Sequence, residues 1–142
     1  MFDVSAALAL MQYGDSAFPS GGFAFSWGVE GMASDGLIDG ARDLERLVAE
    51  HLRCRWRTMD RPLLVAAYRA ADVEALRRVD LTTEALTPVA EMREGSRRAG
   101  RALIGVAARR GGRLSSLYRA EFAGEERLGH LPVAQALAYR DA

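Results

Sequence analysis

The run from Asp15 to Glu30, DSAFPSGGFAFSWGVE, constrains the fold most, because it combines turn-forming residues with aromatic ones. Pro19-Ser20-Gly21-Gly22 is unsuited to the interior of a core helix. A flexible linker has no need of the four aromatic side chains in the same run. The combination predicts a sharply shaped turn whose rings pack together and which leads into a helix.

Helical spacing of apolar residues dominates the rest of the chain. No segment keeps the strict alternation of a strand, and no repeat of fixed period is present. The sequence therefore predicts an all-α fold, a single-domain bundle of about seven to eight helices. The predicted helices cover 4–13, 21–33, 41–58, a segment from 62, 73–76, 88–111, 114–122 and a segment from 132.

Composition favours one domain with an apolar core. The chain has 142 residues, 49% of them apolar, which is enough for a single domain. The net charge is zero, and the charge balance therefore gives no indication of a nucleic-acid surface. No apolar run is long enough to cross a membrane, the start at Met1 lacks the basic region of a signal peptide, and Cys54 is the single cysteine. We expect a cytoplasmic protein.

All nineteen basic residues are arginine. Without lysine the chain cannot build a P-loop phosphate site or a lysine Schiff base with pyridoxal phosphate. No Ser-His-Asp set, Gly-x-Ser-x-Gly motif or paired cysteine nucleophile is visible. These absences favour a protein that is not an enzyme and has no catalytic residues.

The first candidate site is the aromatic run itself. Asp15 and Ser16 are suited to hydrogen-bonding loop N–H groups, while Phe18, Phe23 and Trp27 can fill a core. The alternative is a partner-facing loop, since aromatic residues are enriched at interface hot spots. The sequence leaves open whether Glu30 is paired internally or meets a partner.

The second candidate site is the segment from Glu91 to Arg101. Arg93, Arg97 and Arg101 recur every four residues and form a row on one helix face. A solvated face with local ion pairs is one interpretation, and an acidic partner bound by the guanidinium groups is the other. We expect Ser96 to bond a backbone carbonyl one turn back and Gly100 to allow close helix packing.

Metal ligands are sparse. His51 and Cys54 are three residues apart on one predicted helix, but two ligands do not close a metal site. His130 follows a glycine at a predicted turn and is equally ambiguous. The sequence therefore predicts no metal site and no cofactor.

The motifs together resemble the UreF family of urease accessory proteins. The resemblance rests on three segments at matching order and spacing: Asp15, Ser16, Phe18, Pro19, Gly21, Gly22, Phe23, Ser26, Gly28 and Glu30 in the first; Glu91, Arg93, Ser96, Gly100 and Arg101 in the second; Gly129 and His130, with Val133 behind them, in the third. Phe25 occupies a position that is often polar or histidine in relatives.

The resemblance implies a helical scaffold that dimerises, binds the accessory protein UreD (also called UreH) and recruits the GTPase UreG. Nickel would be delivered to apo-urease by the assembled complex and would not be held in a closed site on this chain. Relatives usually exceed 200 residues, so the resemblance also implies a bundle shortened at the C-terminus. We therefore expect an exposed apolar face at Leu131, Val133, Ala136 and Leu137.

Two other functions remain open from the residues. One is a small helical enzyme with a pocket near Asp15, Glu30 and His51. The other is a helical regulator unrelated to urease.

Overall fold

The architecture is a helical bundle in which the last helix is central. The computed structural model describes residues 4–15, 18, 26 and 28–142, and no strand occurs among them, so the all-α prediction is confirmed. The elements, in chain order, are α1 (Val4–Tyr13), α2 (Val29–Ser34), α3 (Ala41–Glu50), a π-helix (His51–Asp60), α4 (Arg61–Tyr68), α5 (Val73–Leu86), α6 (Ala90–Arg109), α7 (Arg113–Ala120), a 3₁₀ turn (Glu121–Gly124) and α8 (Leu131–Asp141).

Helix α8 forms the centre of the core and packs against α4, α6 and α7. Its apolar residues are spread around the helix, which is the pattern of a buried helix rather than a surface helix. Small side chains such as Ala134 and Ala138 are fully buried and allow neighbouring helices to approach closely. Leu103 and Ile104 of α6 and Tyr118 of α7 complete this core.

The expectation of an exposed apolar face on α8 is wrong. Val133, Ala136 and Leu137 have no exposed surface, and Leu131 is half-buried. These residues pack inward because α4, α6 and α7 surround the helix. The exposed apolar side chains lie elsewhere, among them those of α1 and α3.

The last turn of α8 caps two neighbouring helices. Asp141 accepts hydrogen bonds from the backbone N–H groups of Leu114 and Ser115, each at 2.9 Å. These are free donors at the start of α7, where a carboxylate also complements the helix dipole. Arg140 donates to the carbonyl of Ala70 at 2.9 Å, just after α4 ends. The end of α8 therefore holds α4 and α7 in place.

We expect Asp141→Ala to lower the free energy of unfolding by about 1 kcal/mol, because two N–H groups of α7 lose their acceptor. Asp141→Asn keeps one acceptor oxygen and is expected to cause a smaller loss. Urea denaturation of the unmodified chain and of the two variants measures these differences in the free energy of unfolding. Equal stability of Asp141→Ala and the unmodified chain would contradict the capping role.

Three predicted helices differ from the observed ones. The helix expected over 73–76 is the fourteen-residue α5. Its N-cap is Asp72, whose side chain accepts from Ala75 N at 2.7 Å. The predicted helix over 41–58 turns into a π-helix at His51. Helix α2 begins only at Val29, because Gly28 adopts a left-handed conformation with φ of 88°. Its expected start lies outside the described residues.

Among the described residues, no helix is both long and apolar enough to cross a bilayer.

Candidate functional site

The second and third sequence motifs meet at one junction of α5, α6 and the turn before α8. At its centre lies Asp80 of α5, which has no exposed surface. Its carboxylate accepts hydrogen bonds from the backbone N–H groups of Gly129 and His130, at 2.5 and 3.0 Å, and from the Tyr118 hydroxyl at 2.7 Å. Asp80 thereby fixes the Gly-His turn to α5.

One helical turn further along α5, Glu84 receives the arginine row and the histidine. Arg93 Nε lies 3.2 Å from one carboxylate oxygen, and Arg97 forms an ion pair with the other. His130 Nε2 contacts the same second oxygen at 2.8 Å. Since a carboxylate can only accept, Nε2 carries the proton. Glu84 therefore links α5, α6 and the Gly-His turn.

Arg93 also closes the loop between α5 and α6. Its Nη1 donates to the carbonyls of Thr87 and Pro88, each at 2.8 Å. These carbonyls follow the end of α5, where no continuing helix can satisfy them. Arg93 thus fixes both the ion pair and the chain reversal.

Arg101 holds the segment that precedes the Gly-His turn. Its Nε donates to the carbonyl of Leu128 at 2.9 Å, and its Nη2 donates to that of Glu126 at 2.7 Å. The guanidinium carbon lies 5.0 Å from the ring centre of Phe122, close enough for a cation–π interaction. Nη2 also makes a longer hydrogen bond to the carbonyl of Glu125, at 3.4 Å. One planar side chain therefore anchors this loop by three hydrogen bonds and the contact with Phe122.

Helix α6 approaches the turn backbone-to-backbone at Gly100. A Cβ there would lie 2.7 Å from the carbonyl carbon of His130 and 2.8 Å from Leu131 N, and closer still to the carbonyl oxygen of Gly129. Gly129 itself has φ of 97°, which favours glycine. Ser96 Oγ accepts from Leu131 N at 3.1 Å, across to α8. The close packing expected at Gly100 is present, while Ser96 bonds another segment of the chain.

Electrostatics at the junction follow from burial. Desolvation raises the pKa of Asp80, although its three hydrogen bonds oppose the change. Burial also disfavours the charged form of Glu84, but the hydrogen bonds and charges of Arg97 and His130 outweigh it and lower its pKa. Desolvation lowers the pKa of His130, and the neighbouring Asp80 and Glu84 only partly offset this.

Burial and the adjacent Asp80 raise the pKa of the Tyr118 hydroxyl, so it remains a donor. The Nδ1 atom of His130 is buried and has no hydrogen-bond partner in the described part of the chain. A second proton on the ring would therefore have no acceptor, which favours the neutral histidine in the folded chain. The surroundings of the junction therefore favour a neutral His130 next to an ionised Glu84.

This geometry predicts a loss of stability in mild acid. The pKa of His130 is lowered on folding, so its contribution is present above the unfolded value of about 6.5 and is lost as pH falls through the folded value. Glu84 acts in the same direction below its ordinary value of 4.5, whereas the raised pKa of Asp80 opposes the loss. We expect His130→Gln, which keeps a donor toward Glu84, to flatten the stability profile between pH 6.5 and 5.5 by up to about 1.4 kcal/mol per pH unit.

Urea denaturation at intervals of half a pH unit measures the slope. The matched control is His51→Gln, which changes the exposed histidine of the π-helix. We expect this variant to keep the slope of the unmodified chain. If His51→Gln removed the pH dependence of stability while His130→Gln kept it, the junction would not be the cause of that dependence.

Chemically, the junction braces the fold. Among the described residues, the carboxylates and guanidinium groups at its centre contact each other or the backbone. On its solvent side, an open cavity of about 390 Å³ is lined by Glu94, Arg97, Arg98, Arg101 and Glu126. The acidic group that meets Arg93 and Arg97 in this structure is Glu84 of the same chain, and an additional acidic partner stays a prediction.

The first motif is only partly visible. Ser16, Pro19, Gly21, Gly22 and Phe23 lie outside the described residues, and so do Phe25 and Trp27. Phe18 is half-buried and stacks edge-on against Tyr13, with ring centres 5.2 Å apart. Asp15, Gly28 and Glu30 are exposed, and Ser26 is half-buried. Phe18 packs against the apolar core that includes Tyr118 of the junction.

Sequence reasoning missed three members of the junction: Asp80, Glu84 and Tyr118. A signal was present, because Leu76, Asp80, Thr83 and Thr87 recur at helical spacing, and all four are buried. A carboxylate within such a stripe indicates a buried polar group with partners. Ending the predicted helix at Leu76 concealed the stripe.

The possible metal ligands lie in two parts of the molecule, with His51 and Cys54 in the π-helix and His130 in the junction. Cys54 is exposed, with its sulfur 3.6 Å from a Glu50 oxygen, and His130 is buried in the junction. Within the part of the chain that the structure describes, no three His, Cys, Asp or Glu side chains are grouped to hold a metal ion.

Comparisons with known proteins agree with the resemblance. The sequence model described as UreF matches residues 38–142, which contain both motifs of the junction and exclude the aromatic run before it. The chain is 38% identical over 108 residues to the urease accessory protein UreF of Trichodesmium erythraeum (strain IMS101), covering 74% of this chain and 47% of that protein.

Two further relatives carry the same description. The protein of Cereibacter sphaeroides (strain ATCC 17025 / ATH 2.4.3) is 41% identical over 86 residues, covering 61% of this chain and 40% of that protein. The protein of Ruegeria sp. (strain TM1040) is 36% identical over 85 residues, covering 60% and 40%. No solved structure gives a significant match.

The chain spans less than half the length of these curated relatives. The family model nevertheless covers most of the chain, including every element from α3 to α8. This chain belongs to the UreF family of urease accessory proteins.

Proposed function

We propose that this chain is a non-enzymatic scaffold in urease maturation, acting in the cytoplasm. In this role it binds UreD (UreH) and recruits the GTPase UreG, and the assembled complex delivers nickel to apo-urease. In this proposal the protein acts as a homodimer. Family membership supports the accessory role, and the finer assignment of partners is our proposal.

One structural observation carries the scaffold interpretation. The residues that match the second and third motifs, Arg93, Ser96, Gly100, Arg101 and His130, fix three helices and a turn in one arrangement. They do so by internal hydrogen bonds and close packing rather than by presenting groups to a substrate. Such a use of motif residues suits a protein that acts by holding a rigid binding surface.

Co-purification with UreD, with and without UreG and nickel, tests the proposal. Light scattering should show a discrete stoichiometric complex of this chain with UreD that also retains UreG. The control is a chain with Arg97→Ala and Arg101→Ala, whose junction is weakened and whose complex should be reduced. Failure of the unmodified, folded chain to associate with UreD would contradict the proposed function.

The alternative of a small enzyme has one observation in its favour: His51 lines two cavities, of about 280 and 260 Å³. Neither Asp15 nor Glu30 lines either of them. The expected pairing of these carboxylates with the imidazole therefore has no geometric support, and the scaffold remains the better-supported function.

A further inference from the structure

A pocket separate from the centre of the junction lies where the π-helix faces the start of α8. Its volume is about 280 Å³. π-Helical segments are rare in proteins, and those that occur often lie at functional sites. Four of the residues that line this pocket belong to the π-helix. The pocket, called the Asp60 pocket below, is lined by His51, Arg55, Trp56, Asp60, Ser96, Leu131, Pro132 and Gln135.

Asp60 supplies acceptor capacity in the wall of this pocket. Its Oδ2 accepts from Arg55 Nε at 3.1 Å, and less than a fifth of either side chain is exposed. Among the residues that the structure describes, the buried Oδ1 has no hydrogen-bond partner. A carboxylate can accept about four hydrogen bonds, and Oδ2 receives one from Arg55. A donor on a ligand in the pocket therefore finds acceptor capacity on Oδ2, whereas the buried Oδ1 is out of its reach. Because Arg55 already balances the charge, a neutral donor fits better than a second cation.

The remaining wall is largely apolar. Trp56 is 38% exposed and offers part of its ring, and Leu131 and Pro132 face it from the first turn of α8. A flat ring with a neutral donor at its tip complements both the apolar wall and the carboxylate. Tyrosine has this combination, and it is among the residues enriched at protein interface hot spots.

The surroundings of the pocket favour a protein as the source of that ring. A second cavity of about 260 Å³ shares His51 and is lined by apolar residues of α2, α3 and the π-helix, including Val48 and Leu52. More than half of each of these two side chains is exposed. A contiguous apolar surface beside an anchor pocket suits a folded partner segment better than a small metabolite.

We propose that the Asp60 pocket binds a tyrosine side chain of a partner protein. The phenol O–H donates to the Asp60 carboxylate, the ring lies against Trp56 and Pro132, and apolar residues beside the tyrosine cover Val48 and Leu52. This inference is independent of the urease partners named above.

The test uses the full chain labelled with ¹⁵N and two probes that differ only by the hydroxyl group, N-acetyl-tyrosinamide and N-acetyl-phenylalaninamide. The tyrosine probe should shift the Trp56 indole, Gln135 side-chain and Leu131 backbone signals. The phenylalanine probe should bind about tenfold more weakly, because it lacks the hydrogen bond to a charged acceptor. Equal affinities, or shifts confined to other residues, would overturn the proposal.

Variants give a second measurement. Gln135→Phe fills the pocket and should abolish the shifts, and Trp56→Leu should weaken binding of the tyrosine probe several-fold by removing the aromatic wall. Leu117→Ala, which changes an exposed apolar residue of α7, is the matched control and should bind normally. If one pocket variant does not fold, as judged by circular dichroism, the other decides. Normal binding by a folded pocket variant would contradict the site.

The protein source is tested with a helical peptide that carries one tyrosine and leucines one and two turns to either side. It should bind more tightly than N-acetyl-tyrosinamide, and Val48→Asp should remove that gain while leaving the affinity of the small probe unchanged. A peptide that binds no more tightly than the small probe would overturn the assignment to a partner protein.

Discussion

Gly100→Ala is expected to lower the free energy of unfolding by about 3 kcal/mol, the upper end of the usual range for overpacking. Alanine is the better helix former by about 1 kcal/mol, so the sign of the effect depends on the surroundings. The new methyl group would meet the backbone of Gly129, His130 and Leu131 at distances shorter than van der Waals contact. Backbone atoms cannot move aside as a flexible side chain can, and the turn before α8 must therefore shift.

The control for this prediction is in the same helix. A Cβ at Gly105 would have its nearest contact with the end of the Arg109 side chain, at 3.5 Å, which is ordinary packing. We therefore expect Gly105→Ala to be neutral or to stabilise the chain by up to about 1 kcal/mol. Urea denaturation followed by circular dichroism compares the two variants. Similar effects of both substitutions would show that the close approach at Gly100 has no energetic weight.

Asp80→Ala is expected to be at least as damaging, with a loss of about 3 to 4 kcal/mol. The substitution leaves two backbone N–H groups and the Tyr118 hydroxyl without their acceptor at a buried site, and each such group costs about 1–3 kcal/mol. Relief of the buried charge offsets part of the loss, as the raised pKa of Asp80 indicates. The measurement is again equilibrium unfolding, at pH 7.5, where His130 is neutral.

Tyr118→Phe separates the hydroxyl from the backbone donors. It removes one of the three hydrogen bonds and should lower stability by about 1 kcal/mol. The double variant with Asp80→Ala should lose less stability than the sum of the two single losses, because without the hydroxyl one group fewer is left without an acceptor. Full additivity would mean that Asp80 and Tyr118 do not interact as the structure describes.

Helical periodicity was sufficient to predict most elements. α1, α6, α7 and α8 lie within a few residues of their predicted bounds, because their apolar residues recur regularly and glycine, proline or a turn marks at least one end of each. α5 was predicted ten residues too short. Thr82 and Thr83 have weak helix propensity, and their hydroxyls bond carbonyls one turn back within the completed helix. Tertiary packing of its buried face outweighs the propensity of this segment.

The pairing of the arginine row could not be read from the sequence. Its spacing showed that Arg93, Arg97 and Arg101 share a helix face, but an internal ion-pair partner and an external one produce the same pattern. Glu84 lies nine residues before Arg93 along the chain, and a chain reversal brings the two together. Only the packing of α5 against α6 decides which carboxylate the row meets.

The burial of α8 shows most clearly what the sequence leaves open and the structure decides. Its apolar residues were recognised, yet they were expected at an exposed surface and are instead the centre of the core. A helix that is apolar on several faces can be buried by its own chain or by another, and local pattern does not distinguish the two.

The sequence by itself determined the all-α class, the family resemblance and the residues of the junction other than Asp80, Glu84 and Tyr118. These features depend on local periodicity, turn chemistry and short motifs, which are properties of neighbouring residues. Only the tertiary structure decided that the two distant motifs meet, that Asp80 and Glu84 hold them, and that the Asp60 pocket lies between the π-helix and α8. Most of these contacts join residues tens of positions apart, and all of them depend on how whole helices pack.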